Sequence, residues 1–238
     1  VRQDSVVVRW FGESSSFGEW GPVMNWPIPG SHLTLLHTGK VLVFDYSLGH
    51  PSMKTPPVTP AVWDPNTLEF ASTYWESNGY EIFCSGISAL PDGKILVAGG
   101  GNHMDGEERS VIFDPISLTW KQAASMTYGR FYPTLTALAE GNVLATGGII
   151  DSVEASIPEI YNPLTNTWSQ LPEADMKFGF TYPAMFLLPN GKLLQAGREK
   201  ATRVLDLNTQ TWTPLNGDVP SIFAVMYASG KVMRTGDG

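Results

Sequence analysis

The chain of 238 residues has one cysteine, few basic residues and no long apolar run. A single cysteine excludes an internal disulfide and the paired-cysteine zinc motifs. With 15 Lys and Arg against 23 Asp and Glu, the formal net charge is -8, which argues against nucleic-acid and anionic-membrane partners. No apolar stretch approaches the roughly 18 residues needed to cross a bilayer. The partners expected from the sequence therefore include neither nucleic acid nor membrane.

Glycine and proline, in contrast, are abundant. The 24 glycines and 18 prolines interrupt the chain every few residues and leave little room for long helices. A hydrophobic content of 42% is enough to build a sizeable core. The composition therefore predicts an all-β protein.

The sequence contains an internal repeat. Four segments align, "GISALPDGKILVAGG", "TLTALAEGNVLATGG", "AMFLLPNGKLLQAG" and "IFAVMYASGKVMRTGDG", and a fainter copy, "HLTLLHTGKVLVFD", precedes them. Each copy reads as a β-hairpin: a strand, a turn that ends in glycine, and a second strand. The turn glycines are Gly39, Gly93, Gly141, Gly191 and Gly230. A second hairpin signature recurs between them, in "WDPNTLEF", "FDPISLTW", "YNPLTNTW" and "LDLNTQTW".

Two hairpins in about 50 residues make the four-stranded blade of a kelch-type β-propeller. We assign 1–79 to the first blade with an N-terminal segment, 80–128 to the second, 129–178 to the third, 179–219 to the fourth and 220–238 to the start of a fifth. Four to five blades do not close a ring with covered edges. The chain is therefore expected to be the N-terminal part of a larger propeller.

Two further features of the repeat predict how blades pack. The aromatic residue that ends the second hairpin is expected to fill the gap between neighbouring sheets; these residues are Phe70, Trp120, Trp168 and Trp212. The glycine pairs 99–100 and 147–148, which follow the second strand, are expected to let neighbouring blades approach closely because they have no Cβ.

The repeat also aligns a set of unusual residues. The position nine residues before each turn glycine is occupied by Gly30, Cys84, Tyr132, Tyr182 and Ser221. The first strand of a propeller blade lines the central axis, so these positions should form a ring at one mouth of the channel. This predicts that Cys84 and Tyr132 are neighbours on adjacent blades. The alternatives are a buried thiol that packs as a small hydrophobe and a core tyrosine with a backbone partner.

The segments "GEWGPVMNWPIPG", "WDPNT", "FCSGISALPDGKILVAGG" and "GRFYPTLTALAEGNVLATGG" resemble the propeller domain of the galactose oxidase and glyoxal oxidase family of copper-radical enzymes. The resemblance runs from about Gly18 to Gly238. It implies a propeller that has seven blades when complete, and a thioether between Cys84 and the ring of Tyr132. It also implies that Tyr132 is both a copper ligand and the radical site. Cys84 would then tune the reduction potential of Tyr132.

The same resemblance implies a reaction. Copper and the crosslinked tyrosine each accept one electron, so together they oxidise a primary alcohol, an aldehyde or a carbohydrate substrate and pass the electrons to O2, which gives hydrogen peroxide. Phe83 matches an aromatic residue near the family's substrate pocket. Arg130 and Tyr182 are expected near the same mouth, and His103 in "GGGNHMDGEE" is either a contact to substrate or an ion, or part of a solvated loop.

The remaining copper ligands are expected beyond residue 238, in the remainder of the propeller and in a C-terminal domain, so the 238 residues alone are expected to be inactive. His32 and His37 are five residues apart on a strand, and their side chains should point to opposite faces. His50 lies in a proline-rich stretch. These histidines do not predict a metal site of their own.

One departure from the family concerns the tryptophan that stacks over the thioether in galactose oxidase. Ile149 or Ile150 stands at that place, which argues against galactose oxidase in particular and leaves glyoxal-oxidase-like relatives open. A non-catalytic, extracellular kelch propeller that binds a glycan or a protein is the alternative. Secretion is implied mainly by the resemblance.

Overall fold

The computed structural model describes residues 23–47, 57–73, 75–102, 105–177, 181–197, 201–215 and 223–236. These residues form twenty β-strands and one short 3-10 helix, Pro172–Ala174. Within the described ranges, no helix is long and apolar enough to cross a membrane. The expectation of an all-β chain is confirmed.

The strands form four antiparallel four-stranded sheets and two two-stranded sheets, and strands that follow one another in a four-stranded sheet are hydrogen-bonded neighbours. The first sheet contains β1 (His32–Leu35), β2 (Val41–Phe44), β3 (Ala61–Trp63) and β4 (Phe70–Ser72). The second contains β5 (Ser85–Ala89), β6 (Ile95–Gly99), β7 (Ser110–Asp114) and β8 (Thr119–Gln122).

The third sheet contains β9 (Thr134–Ala137), β10 (Val143–Thr146), β13 (Glu159–Asn162) and β14 (Thr167–Gln170). A small hairpin of β11 (Ile149–Ile150) and β12 (Val153–Glu154) interrupts it in sequence. The fourth contains β15 (Met185–Leu187), β16 (Leu193–Gln195), β17 (Thr202–Asp206) and β18 (Thr211–Leu215), and β19 (Phe223–Ala228) pairs with β20 (Lys231–Thr235). The kelch-type propeller blade is thus confirmed, whereas the blade boundaries and the number of blades in the whole protein stay predictions.

The turn of the second hairpin in each four-stranded sheet contains the same side-chain to backbone hydrogen bond. The side chains of Asp64, Asp114, Asn162 and Asp206 each accept the backbone N–H two residues further on, at 2.9, 2.9, 2.9 and 3.0 Å. Asp and Asn favour such turns because their short side chains can bond the nearby backbone. The repeated "WDPNT"-like signature therefore has a direct structural cause.

Tryptophan side chains connect each sheet to the one before it. The indole Nε1–H donates across the gap at 2.9 Å in three successive blades, from Trp120 to Thr73 Oγ1, from Trp168 to the Ala124 carbonyl and from Trp212 to the Ala174 carbonyl. A buried indole needs both an apolar surface for its ring and a partner for its N–H. The prediction that these tryptophans fill the gaps between sheets is confirmed.

The first strands of the blades lie side by side. A Cβ on Gly86 of β5 would lie 2.7 Å from Leu135 Cγ and 3.2 Å from the Pro133 carbonyl, both of the third blade. Gly99 lies against the backbone carbonyl of Arg130 in the same way. Gly99 belongs to one of the two glycine pairs that were predicted to let neighbouring blades approach closely. The close approach brings the segments that precede β5, β9 and β15 together at one end of the inner strands.

Candidate functional site

Cys84, Tyr132 and Tyr182 precede the first strands of three successive blades and share one backbone conformation. All three lie in the left-handed region, with φ of 59°, 64° and 50°. The Tyr132 N–H donates to the Cys84 carbonyl at 2.9 Å, and the Tyr182 N–H donates to the Tyr132 carbonyl at 2.7 Å. Left-handed backbone costs a residue with a side chain on the order of 1–3 kcal/mol, and such strain concentrates at functional sites.

The side chains of the same three residues meet. The Cys84 thiol lies within hydrogen-bonding reach of the Tyr132 and Tyr182 side chains. The two tyrosine rings have centroids 4.9 Å apart and planes inclined at 43°. Burial, which leaves Cys84 5% exposed, raises the pKa of its thiol to about 12 even though the tyrosine hydrogen bonds act in the opposite direction. The sulfur is therefore a protonated thiol at neutral pH, in contact with two phenols.

His32, from the first blade, is bonded to the backbone of Cys84. Its Nε2 accepts the backbone N–H of Cys84 at 2.9 Å. The imidazole is stacked on Phe44, with centroids 4.8 Å apart and planes inclined at 11°, and meets the edge of Phe83 at 5.6 Å. Burial lowers the pKa of His32 to about 4. The imidazole is thus neutral, and Nε2 carries the lone pair that Cys84 requires.

Sequence reasoning missed this role because it weighed His32 only as a metal ligand. The signal is present in the repeat: His32 stands seven residues before its turn glycine, where the next three blades have Gly86, Thr134 and Ala184. One blade therefore has a large polar side chain at a position where the others have small residues.

Tyr46 is a second residue that the sequence argument missed. Its ring is stacked on Phe83, with centroids 3.6 Å apart and planes inclined at 21°. Burial raises the pKa of the Tyr46 hydroxyl, and the proximity of Cys84, Asp45 and Tyr132 raises it further. Tyr46 occupies the place of Gly100 in the second blade, so the register could have singled it out.

Two buried carboxyl groups lie beside the ring. Glu81 is 2% exposed, and its Oε1 accepts the backbone N–H groups of Ser47 and Phe83, both at 2.9 Å. This ties the segment before Cys84 to the first blade. Asp45 is 9% exposed, and burial raises the pKa of its carboxyl group although hydrogen bonds with the Ser31 side chain and the Tyr46 backbone act against the shift.

Arg130 is turned away from the ring mouth. Its guanidinium has no exposed surface and donates to the Gly147 carbonyl at 2.8 Å, the Ala155 carbonyl at 2.9 Å and Glu159 Oε1 at 3.0 Å. Burial lowers the pKa of Arg130, while Glu159 opposes that shift. These bonds fasten the β11–β12 hairpin to the third sheet, and they leave no surface of Arg130 for a substrate.

The other residues that the sequence singled out do not all lie near Cys84. Phe83 lies beside Cys84 between Tyr46 and His32, and Ile149 and Ile150 form β11, each partly buried. His103, like His50 and Ser221, lies outside the described residues. His37 is exposed, with Nδ1 3.0 Å from the Gly93 carbonyl and no share in the ring.

The described ranges contain no group of three or more His, Cys, Asp and Glu side chains that could hold a metal ion. One oxygen that could bind a metal ion, the Tyr132 hydroxyl, lies near the thiol. That donor fits one ligand position of a copper centre and not a complete set, which needs four or five.

An open cavity of about 360 Å³ lies beside Tyr182. Its lining includes His32, Ser85, Thr134, Leu135 and Tyr182. The hydroxyl of Ser85 is buried there without a hydrogen-bond partner. A small molecule in this cavity would contact Tyr182 and the strand that follows Cys84.

Comparison with known proteins supports the fold. A kelch motif model matches residues 131–174, which cover the third sheet. No curated protein matches the chain. Among solved structures, the chain is similar to a fungal alcohol oxidase of the AA5 family in complex with copper, with a TM-score of 0.69 and 24% identity over 87% of this chain and 46% of that one. The chain folds as kelch-type β-propeller blades and spans about half the length of the oxidase it matches.

Proposed function

We propose that the protein, when complete, is a copper-dependent oxidase of primary alcohols or aldehydes. The observation that carries this proposal is the pairing of Cys84, the only cysteine of the chain, with Tyr132: the Tyr132 N–H donates to the Cys84 carbonyl at 2.9 Å, and the thiol lies within hydrogen-bonding reach of the phenol. The likeness of the fold to a copper-bound alcohol oxidase supports it.

The proposed maturation joins Cys84 Sγ to the Tyr132 ring carbon beside the hydroxyl. The S–H and one ring C–H bond break, a C–S bond forms, and two protons and two electrons leave together. O2 accepts both and becomes hydrogen peroxide. The buried thiol is protonated before the reaction, so its proton must leave during the step.

Tyr132 would hold the metal through its hydroxyl oxygen, together with ligands from outside the 238 residues. Copper bound there would accept one electron and the thioether-substituted phenol a second, which matches the two electrons of alcohol oxidation. Phe83 and Tyr182 would bound the substrate beside the thioether. The cavity next to them would admit a small alcohol, aldehyde or carbohydrate, and we place the complete protein outside the cell.

The crosslink is the first part of the proposal to test. Full-length protein is prepared without copper, incubated with Cu(II) in air and examined by intact-mass and peptide mass spectrometry. We expect the mass of two hydrogen atoms to be lost, Cys84 to resist alkylation, and a Cys84–Tyr132 linked peptide to appear. Cys84→Ser and Tyr132→Phe are the matched controls and should keep the unmodified mass.

The second part is turnover. Copper-loaded full-length protein is offered primary alcohols, aldehydes and sugars, and hydrogen peroxide is measured. Peroxide that forms in the wild type but not in Cys84→Ser supports the oxidase. A Cys84 thiol that stays freely alkylated after copper loading, with no peroxide from any substrate, would instead favour the non-catalytic propeller.

A further inference from the structure

We propose that His32 is a positioning residue for the Cys84–Tyr132 pair: its Nε2 holds the Cys84 N–H and thereby fixes the direction from which the thiol reaches Tyr132. The inference rests on the proposed function, because it gives His32 a task in the crosslink. Nothing in the family resemblance assigns this histidine a role.

The first step concerns what the Cys84 N–H needs. Cys84 is 5% exposed, so an unpaired N–H there would cost stability. The equivalent N–H groups of Tyr132 and Tyr182 donate to the carbonyl of the ring residue one blade earlier. Cys84 donates instead to the side chain of His32 at 2.9 Å. The second blade is therefore attached to the first through an imidazole and not through a peptide carbonyl.

The second step concerns how firmly the imidazole is held. Its face is stacked on Phe44 and its side meets Phe83, so both the position and the rotation of the ring are defined by aromatic packing. Phe44 is completely buried in the first sheet. The Nε2 acceptor thus stands on a rigid support, which is what a positioning group requires.

The third step links the hydrogen bond to the thiol. Cys84 has φ of 59°, a conformation that a residue with a side chain adopts only when the surroundings impose it. Two bonds impose it here, His32 at the Cys84 N–H and the Tyr132 N–H at the Cys84 carbonyl. Since backbone conformation sets the direction of the Cα–Cβ bond, release of one bond would let the sulfur move away from the Tyr132 ring.

The test compares three substitutions in the full-length protein. His32→Phe keeps an aromatic ring on Phe44 but removes the acceptor, and His32→Leu removes it with a non-aromatic side chain. His32→Gln keeps an acceptor at similar reach and is the matched control. Two readouts are taken: amide hydrogen exchange at Cys84 in copper-free protein, and the rate of crosslink formation after copper is added in air.

We expect amide hydrogen exchange at Cys84 to become about tenfold faster and crosslinking about tenfold slower in His32→Phe and His32→Leu, because each variant loses one hydrogen bond. His32→Gln should restore both. The thermal midpoint is measured in parallel, since a purely structural role would lower stability in all variants without separating Gln from Phe. Wild-type rates of exchange and crosslinking in folded His32→Phe or His32→Leu would overturn the inference.

The two proposals fail in different ways. If the wild type itself never forms the crosslink, the oxidase proposal fails, and the exchange rate at Cys84 in the copper-free variants still decides whether His32 holds that N–H. If the wild type crosslinks and the two variants without an acceptor crosslink equally fast, the oxidase proposal survives and His32 is only part of the core.

Discussion

The backbone N–H of Tyr132 donates to the carbonyl of Cys84 at 2.9 Å, and the side chains of the same two residues lie within hydrogen-bonding reach of each other. The pair is therefore held together twice, once by the main chain and once by the groups that would react. Tyr182 continues the same chain of backbone bonds and also reaches the thiol. The phenol groups of both tyrosines are therefore within reach of the same sulfur.

The first prediction concerns which of the two tyrosines becomes joined to Cys84. Tyr132→Phe should abolish the crosslink, because a phenyl ring lacks the hydroxyl group that activates the neighbouring carbon and binds copper. Tyr182→Phe should retain it, since this hydroxyl serves only as a hydrogen-bond partner of the thiol. Peptide mapping of copper-treated full-length protein identifies the residue joined to Cys84. A linked peptide that contains Tyr182 would contradict this assignment.

Most of the fold could be predicted because it repeats. Gly39, Gly93, Gly141 and Gly191 mark one turn in each complete blade, and a pattern that occurs four times is read more safely than one that occurs once. The same register placed Cys84 and Tyr132 on neighbouring blades. A turn glycine and a strand period are local properties of the chain, so sequence alone carries them.

The residues around the pair were less predictable because their roles depend on side-chain direction. Arg130 lies two residues from Tyr132 in sequence, yet its guanidinium donates hydrogen bonds to the Gly147 carbonyl and to Glu159. Tyr46 and His32 are far from Cys84 in sequence, and only packing brings them together. Contacts between blades of this kind are not local, so the repeat could indicate the positions but not the partners.

The second prediction concerns the buried pair of Arg130 and Glu159, both of which have side chains that are 0% exposed. Arg130→Met should lower the free energy of unfolding by about 3–5 kcal/mol, because it leaves a buried carboxylate without its counter-charge. Urea unfolding measures the change. The double variant Arg130→Met/Glu159→Gln removes the stranded charge and should recover a good part of the loss. Additive losses in the double variant would show that the ion pair is not what stabilises this region.

The third prediction concerns the close approach of β5 and the third blade. Gly86→Ala should lower the free energy of unfolding by about 1–3 kcal/mol, because the new methyl group would meet Leu135 Cγ at 2.7 Å and two backbone atoms at 3.2 Å. Gly30→Ala is the matched control, since its nearest neighbour would be 3.7 Å away. Thermal or urea unfolding of both variants provides the measurement. Equal stability of the two would mean that the inner strands can move apart at little cost.

The last prediction concerns the dependence of stability on pH. The native pKa of His32 is lowered to about 4, whereas that of an unfolded histidine is 6.5, so between these values the unfolded chain binds more protons than the native one. Stability should therefore be fully present above pH 6.5 and fall as the pH drops towards 4, by at most about 1.4 kcal/mol per pH unit. His32→Gln should show a shallower slope between pH 6.5 and 5, above the range where most carboxylates titrate. Urea midpoints measured across that interval provide the test, and parallel curves for the wild type and His32→Gln would mean that the native pKa of His32 is not lowered.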